Sequence, residues 1–300
     1  MYYPMDEKAV ESYEKAGKIA KETLAWGVKL VKPGVSYLEV ADKIEARITE
    51  AGAGLPFPTN ISVNDIAAHY VPKANDKSVF TKEDVVKVDI GVHIDGYIAD
   101  TAYTVDLTGE YGDMLAANQT ALDTALDMVA PGVSVASIGE AVQDAITGAG
   151  YKPIENLTGH EIKQNELHAG LSIPNIKVPY DWQIEEGMAM AIEPFATDGA
   201  GHVIESPSPE IFSVQQPRPV RMREARMLLK TLAERGELPF AARWYAKKFS
   251  PLKLSLILNQ LKQAEILHAY PPLHDRSKGK VSQFEHTVIV TEDGSTVTTR

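Results

Sequence analysis

The stretch VVKVDIGVHIDGYIADTAYTVDL, from Val85 to Leu107, decides how this chain is read. Two runs rich in Val, Ile, Tyr and Thr meet at Asp95-Gly96, the strongest short-range signal for a β-hairpin. Asp is disfavoured in strands, yet Asp89 and Asp100 lie mid-run. A two-residue turn makes Ile94 face Tyr97, so Asp89 opposes Ala102 and Gly91 opposes Asp100. Asp89 and Asp100 then share a face as diagonal neighbours, roughly 7–8 Å apart at the backbone. Two carboxylates so placed in an apolar sheet repel, and burying either alone costs several kcal/mol or protonates it. A divalent cation removes the conflict. Pairing with Lys or Arg, or a wet face, would remove it equally well.

Other apolar stretches carry similar oddities. His160 follows a Gly in ENLTGHEI, Glu193 interrupts MAMAIEPF and Glu285 interrupts VSQFEHTVIV. These acids read as strand-centred, with too few basic residues in the same strands to neutralise them. Four carboxylates and one imidazole suit two divalent ions that share carboxylates. The chain has no cysteine, so any metal is held by oxygen and imidazole, which favours Mn(II), Fe(II) or Co(II) over a thiolate zinc site. Two ions about 3.5–4 Å apart would hold a water between them, lower its pKa and polarise a carbonyl.

The rest of the chain sets the frame. Apolar steps of three and four predict a helix over residues 6–31, stopped by Pro33-Gly34. Ser36 with Glu39 reads as a capping box opening a second helix that Gly52 closes. The passage VKPGVSYLEVADKIEARITEAG (Val31 to Gly52) aligns without gaps on VAPGVSVASIGEAVQDAITGAG (Val129 to Gly150), with nine of 22 positions identical. We read this as a duplicated half-domain of two helices plus strands, an α+β arrangement around a shared sheet. Residues 218–273 read as helical, and Arg218 to Ser255 holds ten Lys or Arg against three Glu. Strands return in QFEHTVIVTEDGSTVTT, with a turn at Asp293-Gly294, so the helical block reads as an insertion. A net charge of -11 argues against a general nucleic-acid coat, and no run of about 18 apolar residues offers a membrane span. No secretory leader is legible at the start, which places the protein in the cytoplasm.

The ordered set AAHYVP, VDIGVHIDGYIADTA, LTGHEI, AIEPFATDG, AYPPL and QFEHT resembles the methionine aminopeptidases of the pita-bread fold, in the short type 2 form found in archaea. The resemblance spans essentially the whole chain. It implies a catalytic domain of residues 1–216 and 276–300, with residues 217–275 an inserted, winged-helix-like helical subdomain. It implies that Asp89 binds one metal, that Asp100 and Glu285 bridge two, and that His160 and Glu193 complete the second. The ions would be Co, Mn, Fe or Zn, with Mn or Fe favoured in the cell. Glu193 would also shuttle a proton from the bridging water to the leaving amine, His168 would steady the scissile carbonyl, and His69 would contact the peptide just beyond the cut. Phe57, Leu167, Phe195 and Tyr270 would line the methionine pocket. His93 reads as a packing residue, His286 as pointing away from Glu285, and His202, His268 and His274 as solvated.

The implied activity is removal of the initiator methionine from nascent chains with a small second residue, by a monomer. The basic block reads as a solvated helical face or, alternatively, as a surface that docks on the ribosome. A non-enzymatic RNA-binding or ribosome-binding relative and a prolidase are the rivals, and retention of all five ligand positions weighs against the first. The size rule carries over to the chain itself: its second residue, Tyr2, is bulky, so Met1 is retained. An intact mass lacking one methionine would contradict that expectation.

Overall fold

The computed structural model describes residues 5–300, so Tyr2 lies outside the described residues. The first half runs α1 (Glu7–Gly27), α2 (Tyr37–Glu50), β1 (Asn60–Val63), β2 (Ile66–Ala68), β3 (Val85–Ile94) and β4 (Tyr97–Asp106). The second runs α3 (Gly112–Met128), α4 (Val135–Gly148), β5 (Lys152–Pro153), β6 (Thr158–Ile162), β7 (Ser172–Pro174), β8 (Ala189–Ile192), β9 (Phe195–Thr197) and β10 (Val203–Glu205). There follow β11 (Ile211–Val214), α5 (Arg223–Leu232), β12 (Phe240–Ala241), α6 (Pro251–Gln263), β13 (Leu267–Tyr270) and β14 (Leu273–Asp275). The strands β15 (Val281–Gln283), β16 (His286–Thr291) and β17 (Gly294–Val297) close the chain. The repeated passages become α2 and α4, helices of 14 residues each whose ends are offset by the same 98 positions.

The hairpin has the expected register, with Asp89 opposite Ala102 and Gly91 opposite Asp100. Asp95 (φ 52°) and Gly96 (φ 86°) are both left-handed, as a turn matched to strand twist requires. Alternation then separates two environments along β3. Val86, Val88, Ile90 and Val92 pack with Ala16, Ala20 and Leu24 of α1 and Val40, Ile44 and Ile48 of α2. Their odd-numbered neighbours turn the other way. In the second half Met190, Ile192, Val288 and Val290 face α3 and α4, while Ala189, Ala191 and Ile289 face the opposite side. Helices thus cover one side of each half, and the free sides meet.

Four local expectations need correction. The first helix ends at Gly27 and tightens into a 3-10 turn over Val28–Leu30, four residues early. Ser36 makes no side-chain cap, and Glu39 pairs with Lys43. Its repeat partner Ser134 does accept from the Ala136 amide. The last hairpin turns at Glu292-Asp293, since Thr291 pairs with Gly294. The block 218–273 is not helical throughout. β12 and β13 pair with β11, and β14 lies between β10 and β2. The block has a core of its own, built by Ala225, Leu228, Leu232, Ile257 and Leu261 over Phe212 and Phe240.

The packing of α1 gives a counterintuitive expectation. Gly17 lies mid-helix, where Ala would normally stabilise by about 1 kcal/mol. A Cβ there would sit 2.2 Å from the Thr298 carbonyl oxygen. Backbone cannot yield cheaply, so Gly17→Ala should destabilise by about 1–3 kcal/mol. A thermal melt showing equal or higher stability would contradict this contact.

Candidate metal centre

The site forms where two chain segments change sheets. β8 and β16 belong to the five-stranded sheet β17-β16-β8-β6-β7, whereas β9 and β15 belong to the sheet β15-β9-β5. Glu193 falls at the β8-to-β9 break and Glu285 at the β15-to-β16 break, so neither is strand-centred as expected. Each keeps the parity of the site-facing residues before or after it, and at the break its side chain enters the space between the halves. His160 is in the middle of β6, paired with Ala191 and Ser172.

Backbone pairing locks this junction. Ala102 and Glu285 exchange main-chain hydrogen bonds at 3.4 and 3.1 Å, and the Thr101 hydroxyl donates to the Glu285 carbonyl at 2.8 Å. The Asp100 amide donates to Thr287 Oγ1 (2.7 Å), whose hydroxyl donates back to the Asp100 carbonyl (2.8 Å). Asp100 and Glu285 are therefore presented from two halves that are stitched together beside them.

A cavity of about 70 Å³ is lined by Asp89, Asp100, His160, Glu193, Glu285, His69, His168, Phe57, Leu167 and Tyr270, ten of the eleven residues singled out from the sequence. Phe195 is the exception. It is buried in a separate cluster and lines an adjoining cavity that also touches His69, His160, His168 and Glu193. Ligand atoms of Asp100, His160 and Glu285 lie within 4.8 Å of one another. His160 Nε2 is 3.6 Å from both Asp100 Oδ2 and Glu193 Oε1.

The electrostatics favour a cation. Burial pushes the carboxyls of Asp89, Glu193 and Glu285 well above the usual range, with neighbouring carboxylates adding to it, and burial holds Asp100 at about 8. Among the described residues, no Lys or Arg contributes to the shift of any of the four. Asp89 Oδ1 and Asp100 Oδ1 are buried with no hydrogen-bond partner. Burial also lowers His160 to about 4, so its ring is neutral, and its Nδ1 faces the Glu161 carbonyl at 3.4 Å. That leaves Nε2 free to ligate. Orphaned carboxylate oxygens, a neutral imidazole and no protein cation fit a divalent metal.

Four lining residues, Asn60, Ala68, Ile211 and Pro239, were missed from the sequence, as was Gln283 beside them. Gln283 donates to Glu193 Oε2 (3.4 Å) and Glu285 Oε2 (3.3 Å); its spacing of two from Glu285 was the available signal. Asn60 stands opposite Asp89 across β1 and β3. Pro239 comes from the helical block, and nothing local marks it. Among the remaining histidines, His93 Nδ1 accepts from the Gly96 amide (3.2 Å), in keeping with a packing role, and His286 bonds Thr299. His268 is exposed as expected, though on β13. His202 and His274 are not simply solvated, being paired with Glu155 (2.8 Å) and Asp65 (3.1 Å).

Residues 11–292 match Metallopeptidase family M24. The chain belongs to this family. It is 48% identical over 297 residues to the methionine aminopeptidase of Archaeoglobus fulgidus, covering 99% of this chain and 100% of that one. Among solved structures it is similar to a thermophilic Arx1 (TM-score 0.86, 16% identity, 98% of this chain and 91% of that one). It is also similar to the methionine aminopeptidase of Thermotoga maritima (TM-score 0.74, 21% identity, all of both chains). These likenesses support the pita-bread fold expected from the motifs. The family is one of metallopeptidases, and in this chain the acid cluster is the place where a metal ion could be held. Among the described residues no helix is long and apolar enough to cross a membrane.

A pH dependence follows from the buried acids. Their folded pKa values exceed the unfolded ones, so the folded state holds extra protons from about pH 4 upwards and loses stability as pH rises towards 8. Protein held in a chelator should melt lower at pH 8 than at pH 7, a window in which the buried histidines are largely neutral both folded and unfolded, and Mn(II) should reverse the drop. A flat profile in the chelator would contradict the buried acid cluster.

Proposed function

We propose that this chain removes the initiator methionine from peptides and nascent proteins with a small second residue, using two divalent ions. The supporting observation is the convergence on one cavity of residues spread from Phe57 to Glu285, including all five expected ligands. Asp89, Asp100, His160, Glu193 and Glu285 would hold the ions, Asp100 and Glu285 serving both. Ions there would supply Lewis acidity, lowering the pKa of a water and polarising the scissile carbonyl.

The protein's own groups do the remainder. Glu193 takes a proton from the attacking water on a carboxylate oxygen and delivers it to the leaving amine. His168, whose ring is 4.4 Å from that of His160, donates to the carbonyl oxygen as negative charge develops. His69 is lowered to about 4 by burial, so its ring is neutral, and its Nδ1 is buried without a partner. It sits at φ 65°, a strained setting for a non-glycine residue that is common at functional sites. A ring that donates to the Pro271 carbonyl keeps Nδ1 as a lone-pair acceptor, which suits a peptide N–H beyond the cut. Phe57, Leu167 and Tyr270 offer the apolar end to the methionine side chain, with Phe195 behind the adjoining wall.

We assign residues 1–216 and 276–300 to the catalytic domain and 217–275 to the insertion. Arg221, Arg223, Arg226, Lys230, Lys247, Lys248 and Lys253 are exposed on that insertion, which suits docking of a monomer near nascent chains.

Methionine release from Met-Ala-Ser with added Mn(II) or Co(II) tests the proposal. Asp100→Ala should abolish it. His168→Ala should lower kcat by roughly 10²–10³-fold with KM little changed, as loss of an oxyanion donor does. Equal rates for wild type and Asp100→Ala would exclude this site.

A further inference from the structure

One loop and one residue of the helical block meet beside the cavity in a way the chemistry above does not use. Phe57 reaches the cavity from the loop between α2 and β1, and Pro239 reaches it from the segment before β12. Neither belongs to a regular element, yet together they form part of the apolar wall. Phe57 cannot retreat towards β3, because Phe57 and Pro56 already occupy the space where a Cβ on Gly91 would lie, at 2.4 and 2.5 Å. What holds it from the other side is Arg235.

The Arg235 guanidinium donates to main-chain carbonyls through Nε and Nη2. Nε donates to Leu238 (3.1 Å) and Pro239 (2.9 Å), and Nη2 donates to Leu55 (2.7 Å), Pro56 (3.0 Å) and Pro239. Its plane lies over Trp244 at 4.8 Å. Trp244 in turn donates to Glu45 Oε2 (2.8 Å), and Glu45 Oε1 accepts from the Thr59 amide (3.0 Å). Arg243 also pairs with Glu45. The loop 55–59 is therefore gripped at both ends, at Leu55-Pro56 by Arg235 and at Thr59 by Glu45, with Phe57 midway. Arginine suits this task because its planar fork serves several carbonyls at once, which a lysine cannot.

We propose that Arg235 is a positioning residue that sets the width of the pocket for the substrate's first side chain. It ties the Phe57 loop to the Pro239 segment across the seam between main domain and insertion. The assignment rests on the aminopeptidase reading for which side chain the pocket admits. The tie itself does not.

Two variants and two readouts test it. Arg235→Met keeps an apolar stem over Trp244 and removes every donor, while Arg235→Lys keeps the charge. For Arg235→Met, the ratio of kcat/KM between Met-Ala-Ser and Leu-Ala-Ser should fall about tenfold, mainly through a higher KM for the methionine peptide, the scale on which apolar pockets discriminate. Arg235→Lys should fall between it and wild type. Amide hydrogen exchange should quicken at residues 55–59 and 238–240 and stay unchanged at β6 and β16. A uniform loss of rate on both peptides, or exchange unaltered at 55–59, would overturn the proposal. Should wild type fail to release methionine at all, the functional reading falls, and the exchange pattern still decides the tie.

Discussion

Four carboxylates that face one another, with no cationic side chain beside them among the described residues, are the constraint on which the structure turns. Asp100 and Glu285 are buried, and Asp89 and Glu193 partly so. Two unit charges at about 4 Å repel by roughly 4 kcal/mol at an effective dielectric of 20. A dense set of main-chain and hydroxyl hydrogen bonds offsets part of this, each contributing about 1 kcal/mol. The Asp100–Thr287 and Thr101/Ala102–Glu285 bonds lie at the seam itself. The halves are joined most firmly where their electrostatics are least favourable. These bonds involve main chain and hydroxyls rather than the carboxyls, so the cluster's geometry does not depend on a bound cation.

Why the acids meet at a seam follows from the duplication. α2 and α4 repeat each other and cover equivalent sides of two half-sheets. The first half delivers its two acids on one hairpin. The second delivers His160, Glu193 and Glu285 on three segments far apart in sequence, ordered β16-β8-β6 in the sheet. Glu193 and Glu285 stand where their segments pass from one sheet to the other, so their carboxyls leave the ladder and enter the common space. Symmetry in the scaffold thus yields an asymmetric set of ligands.

This explains what could be read from the chain and what could not. Asp95-Gly96 fixes the hairpin register, and a period of two then places Asp89, Asp100, Glu193 and Glu285 on site-facing sides whatever the strand ends. The neutrality of His160 and the orphaned oxygens are properties of burial, which single residues do not announce. Ser36 and Ser134 end identical Pro-Gly-Val-Ser passages, yet only Ser134 caps its helix, a difference that the shared local sequence does not carry. The strands of the helical block were hidden by its helical composition, since β13 owes its form to β11 rather than to its own residues. Pro239 and Arg235 were invisible for the same reason. Their neighbours, Leu55 to Phe57, are about 180 residues away.

Chemistry and selectivity are consequently carried by different kinds of structure. The acid centre sits on paired strands and at their sheet crossings, where a shift of one ligand would break several hydrogen bonds at once. Part of the apolar wall, Phe57 and Pro239, comes from loops held by Arg235 and Trp244 of the helical block and Glu45 of α2. Fixing the wall from the block makes the block part of the pocket, through Pro239 and Tyr270 as well as through the grip on Phe57. The block thus contacts the cavity on its apolar side, while the carboxylates and His160 come from the sheets and their crossings. A substitution in the wall can alter which side chain fits while leaving the acid centre intact.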